Sequence, residues 1–395
     1  MQSQKTIELE QAHIFQTYKR QPVVLVKGEG ARVWDADGRE YLDFVSGLAV
    51  CGLGHCHPAV TRAIAHQAGQ LVHTSNLYYT VPQAQLAARL AALTGLDRVF
   101  FCNSGAEANE GAIKLARKFG GLSHPDRYHI VCTHGSFHGR TLATLAATGQ
   151  ARYRQGFGPM PPGFRHVPFN DTQELKAAVD RQTAAILVEP VQGEGGVNVA
   201  NSDFMACLAA LREETGVLLI FDEIQCGLGR TGRWFAFEHY GVRPDIITLA
   251  KSLAAGVPMG AFCAREEVAR ALSLGDHGTT FGGNPLATAA SLAMLAEMER
   301  QGLPDQVTST GKRLTQGLQE LAGRHSMIVE VRGLGLMVAC QLAGDGAPLV
   351  DACRERGLLV NCTAGNVIRF LPPLVVSPAE VDRALGILDL ALGAL

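Results

Sequence analysis

A series of short apolar runs most constrains the fold of this chain. Each run has the length of a buried strand, and stretches of helical character, such as residues 106–119 and 204–214, lie between them. Apolar runs that alternate with helices are typical of a mainly parallel sheet covered by helices on both faces. The sequence therefore predicts an α/β fold with central strands at residues 98–102, 129–132, 185–188, 217–221, 246–249 and 260–263.

The charge balance excludes several classes of protein. The chain has 35 Lys and Arg against 37 Asp and Glu, so it lacks the basic excess expected of a nucleic-acid binder. It has no apolar run of about 18 residues, the length that spans a bilayer, and its first residues lack the pattern of a signal peptide. Ten scattered cysteines suit a reducing compartment. We expect a cytoplasmic protein without a membrane or nucleic-acid partner and without a metal.

The two ends of the chain differ from its middle. Residues 32–41 predict a hairpin that turns at Asp37 and Gly38, and the last helix begins with the capping box Ser377-Pro378-Ala379-Glu380. We predict a large domain over residues 46–297. A small α+β domain is expected to combine residues 1–45 with residues 298–395.

Polar side chains follow the predicted strands at the points where the strands end. Glu189 and Asp222 each end an apolar run, and Lys251 stands two residues after another. Because ligands of an open α/β sheet bind beyond the carboxyl ends of its strands, we expect these side chains to meet in one crevice.

Lys251 and Asp222 together suit pyridoxal phosphate. A desolvated lysine can form a Schiff base with the cofactor's aldehyde, and a buried carboxylate can pair with its protonated ring nitrogen. Taken singly, the lysine could extend to the surface and the aspartate could cap a turn. Ser104, Gly105 and Ala106 open a predicted helix that suits a phosphate, and the Gly-rich and hydroxyl-rich loop around Thr280 is a second phosphate candidate.

From about Thr17 to its C-terminus the chain resembles the class III, ornithine-type aminotransferases of the fold-type-I pyridoxal-phosphate enzymes. The motifs that carry the resemblance stand in family order: residues 54–58 (GHCHP), 103–108 (NSGAEA), 137–141 (FHGRT), 189–196 (EPVQGEGG), 222–225 (DEIQ), 227–232 (GLGRTG), 249–251 (LAK), 282–285 (GGNP) and 368–370 (IRF).

The resemblance implies roles for single residues of this chain. Lys251 carries the cofactor and then moves the proton, and Asp222 holds the ring nitrogen protonated. Phe137 stacks on the ring, Gln225 bonds near the ring hydroxyl, and the phosphate rests on Ser104, Gly105 and Ala106. Thr280 reaches the phosphate of a partner subunit, which implies a homodimer with shared active sites.

The resemblance also implies how one pocket accepts two substrates. Arg140 binds the distal carboxylate in both half-reactions, while Arg369 binds the carboxylate next to the reacting carbon of glutamate and is otherwise neutralised by Glu194. Leu48 stands where ornithine aminotransferases carry a tyrosine that helps hold a free α-amino group. We therefore expect N2-acetyl-L-ornithine as amino donor and 2-oxoglutarate as acceptor; succinylornithine, ornithine, 4-aminobutyrate and acyl-lysine remain alternative donors.

Two motifs suggest other chemistry. Residues 227–232 match the dinucleotide pattern G-x-G-x-x-G, but Asp222 to Gln225 separate them from the strand and no helix is predicted at the third glycine. His55, Cys56 and His57 lack zinc spacing and are interpreted as a turn. An aminomutase of the same fold is a further alternative, although it would not need the pairing of Glu194 with Arg369.

Overall fold

The computed structural model describes residues 2–395, and the predicted apolar runs form strands in it. The strands are β1 Leu25–Glu29, β2 Arg32–Asp35, β3 Glu40–Asp43, β4 Arg98–Cys102, β5 His129–Thr133, β6 Phe164–Val167, β7 Thr183–Val188, β8 Val191–Gln192, β9 Asn198–Val199, β10 Leu218–Asp222, β11 Ile246–Leu249, β12 Gly260–Ala264, β13 Ile328–Leu334, β14 Met337–Leu342, β15 Leu358–Leu359, β16 Asn361–Thr363 and β17 Val367–Phe370.

The helical segments predicted at residues 106–119 and 204–214 lie within two of the helices, α5 (Gly105–Ser123) and α9 (Ser202–Thr215). The helices are α1 Gln2–His13, α2 Ser46–Ala49, α3 Pro58–Ala68, α4 Val81–Thr94, α5 Gly105–Ser123, α6 Leu142–Ala147, α7 Ala151–Arg154, α8 Thr172–Ala178, α9 Ser202–Thr215, α10 Glu266–Ala269, α11 Pro285–Gln301, α12 Leu303–Arg324, α13 Ala347–Glu355 and α14 Pro378–Leu392, with 3-10 turns at Ala236–His239 and Lys251–Ala254. The last helix has the predicted capping box, because the Ser377 side chain accepts from the Glu380 amide and the Glu380 side chain accepts from the Ser377 amide.

The central sheet has seven strands in the order β4-β12-β11-β10-β7-β5-β6. The pairs from β11 to β6 are parallel, and β12 runs antiparallel to both of its neighbours. The mainly parallel sheet is confirmed. Strand β12 is antiparallel because only residues 250–259 join it to β11, which is too short for the crossover that a parallel neighbour needs.

The terminal segments form two further sheets. In the first, β1, β2 and β3 form an antiparallel meander with the predicted turn at Gly38, and β15 adds to β3 in parallel. Residues from the two ends of the chain thus share one sheet. The second sheet is antiparallel, in the order β13-β14-β17-β16, and it carries Arg369 on β17.

The two motifs that suggested other chemistry are turns. The imidazole of His55 lies 2.7 Å from the Asp43 carboxylate, and His57 caps the start of α3. Residues 227–232 form consecutive turns, in which the Arg230 guanidinium donates to the backbone carbonyls of Leu336 and Pro372. Among residues 2–395, no group of three or more His, Cys, Asp or Glu side chains is placed to hold a metal. In the same range, no helix is both long and apolar enough to cross a membrane.

Candidate active site

The ends of the central parallel strands meet at one cavity of about 440 Å³. Asp222 ends β10, Lys251 follows β11, Glu189 follows β7, and Phe137 lies in the loop after β5. All four side chains line the cavity. The expected convergence of polar groups beyond the strand ends is therefore present.

Lys251 is held at the cavity by an unusual backbone. Its φ of 42° lies in the left-handed region, directly where the chain leaves β11. Within residues 2–395 its amine makes no hydrogen bond or ion pair. Burial lowers the pKa of Lys251, and the Glu194 carboxylate opposes that shift. The neutral amine, which is the nucleophilic form, is thus favoured relative to an exposed lysine.

Asp222 lies at the centre of a buried hydrogen-bond network. Its Oδ2 accepts from Asn109 Nδ2 at 2.8 Å and lies 2.8 Å from His138 Nδ1, while its Oδ1 accepts from the Ile224 amide. Asn109 also donates to the His138 carbonyl at 2.8 Å. These contacts fix a carboxylate at the cavity wall, where it can face a protonated ring nitrogen. The sequence indicates no individual role for His138 or Asn109, although His138 stands within the FHGRT motif and Asn109 directly follows the NSGAEA motif.

The start of α5 lines the same cavity with Ser104, Gly105 and Ala106. Ser104 caps the helix, and its hydroxyl accepts from the Glu107 amide at 3.2 Å while its own proton remains available. The amides of Gly105 and Ala106 belong to the first turn and have no acceptor within the described residues. A Cβ at Gly105 would lie 2.8 Å from Ile224 Cδ1, so a larger residue there would require the Ile224 side chain to move. Free amides at the N-terminus of a 19-residue helix suit a phosphate.

Thr280 lies apart from these residues. It is exposed and lines a neighbouring cavity with Asn103 and Glu107, and it does not line the cavity of Lys251. Asn103, which precedes α5, links the Thr280 loop to the start of that helix, because its Nδ2 donates to the Thr279 hydroxyl at 3.3 Å.

Arg369 and Glu194 form an ion pair at the edge of the cavity. Arg369 is fully buried, and its Nη1 donates to Glu194 at 2.8 Å and to Gln225 Oε1 at 3.2 Å. Burial alone would raise the pKa of Glu194, but the charge and hydrogen bond of Arg369 outweigh burial and lower it. Glu194 lines the cavity and Arg369 does not, so the carboxylate separates the guanidinium from the cavity.

Gln225 connects this ion pair to Leu48. Its Nε2 donates to the Leu48 carbonyl at 3.5 Å, while its Oε1 accepts from Arg369. Leu48 has a left-handed φ of 65° and a half-exposed side chain, and Val50 rather than Leu48 lines the cavity.

Arg140 lies on the wall of the cavity. Its side chain is exposed, and within residues 2–395 it makes no hydrogen bond or ion pair. The donors of its guanidinium are therefore free for a carboxylate ligand.

Glu189 joins two loops of the site. Its carboxylate accepts from the Phe137 amide at 2.9 Å and from the Gly193 amide at 3.3 Å. Burial raises the pKa of Glu189 to about 7. The sequence placed this residue at a strand end but indicated no role for it; the structure shows that it supports the loops that carry Phe137 and Glu194.

The residues of the cavity match each part of the pyridoxal phosphate molecule. A lysine amine without a partner suits the aldehyde, the buried Asp222 suits the ring nitrogen, the Phe137 ring offers a stacking face, and the first amides of α5 suit the phosphate.

Known proteins give the same assignment. Residues 14–392 match the family model described as Aminotransferase class-III. The acetylornithine aminotransferase of Methanocaldococcus jannaschii is 53% identical over 390 residues, which cover 98% of each chain. An ornithine aminotransferase structure from Toxoplasma gondii, described as having partial occupancy of PLP at its active site, has a TM-score of 0.96 at 38% identity and covers 99% of this chain and 94% of that one. An acetylornithine aminotransferase structure from Elizabethkingia anophelis has a TM-score of 0.90 at 34% identity and covers 100% of this chain and 99% of that one.

Family match, identity and structural likeness each extend over nearly the whole chain. The motifs of the sequence and the geometry of the cavity are those that pyridoxal phosphate requires. The chain therefore belongs to the class III aminotransferases, a family of pyridoxal-phosphate-dependent enzymes.

Proposed function

We propose that this protein transfers the δ-amino group of N2-acetyl-L-ornithine to 2-oxoglutarate, giving N-acetylglutamate 5-semialdehyde and L-glutamate. The observation that carries the proposal is the 53% identity, over almost all of both chains, with an enzyme named acetylornithine aminotransferase. Arginine biosynthesis is the pathway that this reaction would serve.

We assign the proton transfers to Lys251 and Asp222. When bound, pyridoxal phosphate supplies an aldehyde that takes up an amino group and a conjugated ring that accepts electrons from the adjacent carbon. The Lys251 amine would remove a proton from the substrate carbon that bears the nitrogen and return it to the carbon on the other side of that nitrogen. Asp222, fixed by Asn109 and His138, keeps the ring nitrogen protonated, so that the ring can accept the electrons.

We assign the remaining cofactor contacts to the surrounding loops. The amides of Gly105 and Ala106 and the hydroxyl of Ser104 bind the phosphate, and Phe137 stacks against the ring. Gln225 bonds near the ring hydroxyl while it accepts from Arg369.

We assign substrate exchange to three charged side chains. Arg140 binds the carboxylate remote from the reacting carbon in both half-reactions. With the acetylated donor present, Glu194 stays paired with Arg369 and neutralises it. With glutamate or 2-oxoglutarate present, Glu194 swings away and Arg369 binds the adjacent carboxylate in a bidentate pair. Arg369 Nη2, which is buried without a partner among the described residues, supplies the second donor.

The preference for an acylated donor is the direct test of this proposal. Because Leu48 offers no hydroxyl where ornithine aminotransferases carry a tyrosine, a free α-ammonium group that entered the cavity would lose water without gaining that partner, whereas an acetamide carries no charge to desolvate. We expect kcat/KM for N2-acetyl-L-ornithine to exceed that for L-ornithine by about tenfold or more. Steady-state rates with 2-oxoglutarate and a panel that includes N2-succinylornithine, 4-aminobutyrate and N-acyl-lysine measure it. A higher value for ornithine or 4-aminobutyrate would reject the proposed donor.

We also propose a homodimer in which Thr280 completes the phosphate site of the partner. The apolar side chains of Leu77, Tyr79 and Phe281 are exposed near Thr280. Asn76 links residues 76–79 to the Thr280 loop by donating to the Thr279 carbonyl. Clustered apolar exposure of this kind is typical of a protein interface. Sedimentation equilibrium of the holoenzyme should give twice the mass of one chain; a fully active monomer would contradict the shared site.

Two further proposals complete the description. We propose that the enzyme acts in the cytoplasm.

The pairing of β3 with β15 supports a small domain made of residues 1–45 and 298–395 around a large domain of residues 46–297.

A further inference from the structure

The guanidinium of Arg140 is held by aromatic rings and not by an acid. Its central carbon lies 4.0 Å from the centre of the Tyr153 ring and 5.3 Å from that of Phe137. The two rings meet edge to face, with centroids 5.8 Å apart and an interplanar angle of 82°. Arg140 thus lies in a corner formed by two aromatic faces.

The Tyr153 ring is itself anchored. Its hydroxyl accepts from Arg152 Nη2 at 3.0 Å, and the same nitrogen donates to the Gln150 side chain at 3.0 Å. Gln150 in turn donates to the backbone carbonyls of Gly135 and Ser136, in the loop that carries Phe137. The short helix α7 is therefore fastened to the Phe137 loop, and its tyrosine has a fixed place beside Arg140.

This arrangement favours carboxylate binding for a simple reason. A salt bridge would orient Arg140 but would occupy its donors and cancel its charge. A ring beneath the guanidinium orients it through the attraction between a cation and the aromatic face, while the N–H groups in the guanidinium plane stay free. The planar fork is then ready to bind a carboxylate through two hydrogen bonds.

We propose that Tyr153 is a positioning residue for Arg140 and thereby sets the affinity for the carboxylate that both substrates share. The proposal rests on the assignment of Arg140 under the proposed function. Tyr153 would affect the binding of the dicarboxylate acceptor and of the carboxylate of the donor. The amine chemistry at Lys251 would not depend on it.

Binding of glutarate, an unreactive dicarboxylate, to the holoenzyme tests the proposal without turnover. Tyr153→Leu removes the ring, and we expect the calorimetric Kd for glutarate and the KM for the keto-acid acceptor to rise by about 3- to 30-fold, with kcat changed much less. Tyr153→Phe keeps the ring and should restore both values to within about twofold of the wild type. An unchanged Kd in Tyr153→Leu would overturn the proposal.

A donor without a carboxylate separates positioning from a structural defect. With pentan-1-amine in single-turnover experiments, Tyr153→Leu should react at the wild-type rate, because no carboxylate reaches Arg140. An equal loss with pentan-1-amine and with the carboxylate substrates would overturn the proposal. In an Arg140→Met background the glutarate effect of Tyr153→Leu should disappear; a persisting effect would place its cause elsewhere and overturn the proposal.

Tyr128→Leu is the matched control. The Tyr128 ring faces Arg117 at 5.8 Å, outside the cavity, so its loss removes a similar contact and should leave glutarate binding unchanged. The glutarate measurement is independent of the donor's identity. If Tyr153→Leu weakens glutarate binding but N2-acetyl-L-ornithine is not a donor, the positioning role stands and the proposed function fails.

Discussion

Lys251→Ala is expected to abolish transamination and to shift the near-visible absorbance band of the enzyme saturated with pyridoxal phosphate from that of a lysine-bound cofactor to that of the free aldehyde. The amine supplies both the covalent attachment of the cofactor and the base for proton transfer, so two functions are lost together. Loss of a positioned base alone costs about 10²- to 10⁴-fold in rate, and we expect kcat to fall by about 10³-fold or more. Stopped-flow rates and an absorbance spectrum of the purified variant measure both effects.

Lys176→Ala is the control for this experiment. Lys176 is exposed on α8 and does not line the cavity, so its loss should change neither the rate nor the spectrum. Circular dichroism would verify that both variants are folded. A Lys251→Ala variant that kept the wild-type chromophore, bleachable by borohydride, would show that another amine carries the cofactor.

Glu194→Ala is expected to impair the two half-reactions unequally. Without the carboxylate, the buried guanidinium of Arg369 is left without its charge partner and open to the cavity. Arg369 would then bind the carboxylate of N2-acetyl-L-ornithine in place of Arg140. The donor would be held in the reverse orientation, with its δ-amino group away from the reacting position. We expect kcat/KM of the acetylornithine half-reaction to fall by about tenfold or more, and that of the glutamate half-reaction to change by less than about threefold.

Single-turnover kinetics of each half-reaction separate the two effects. Glu330→Ala is a matched control, because it removes an exposed acid paired at 2.6 Å with Arg332, in the same sheet as Arg369 but away from the cavity. It should leave both half-reactions unchanged. Equal losses in the two half-reactions of Glu194→Ala would argue against a switch in which Arg369 changes partner.

Much of the fold could be predicted because the central strands are buried on both faces. A run such as Ile246–Leu249 is buried at all of its positions, and its bounds in the structure match those read from the sequence. The direction of β12 could not be read in this way, because it depends on the length of the connection from β11 and on pairing with the distant β4. Local signals, the capping box at Ser377 and the turn at Gly38, were predictable because each needs only neighbouring residues.

The candidate site was only partly predictable. Lys251 and Asp222 are noticeable because each is a charged residue at the end of an apolar strand or within two residues of it, and the roles of the others came from the resemblance. No role could be predicted for His138, Asn109 or Tyr153, because their roles depend on contacts across the fold. His138 and Asn109 contact Asp222, and Tyr153 stacks on Arg140.

The central claim is that the δ-nitrogen of an acylated ornithine moves to 2-oxoglutarate, and an isotope label tests it most directly. The purified enzyme with pyridoxal phosphate would be incubated with N2-acetyl-L-ornithine carrying ¹⁵N at the δ-position and with unlabelled 2-oxoglutarate. Mass spectrometry should find ¹⁵N-glutamate and N-acetylglutamate 5-semialdehyde in equal amounts. Unlabelled glutamate, or no glutamate at all while another ω-amino donor is consumed, would contradict the claim.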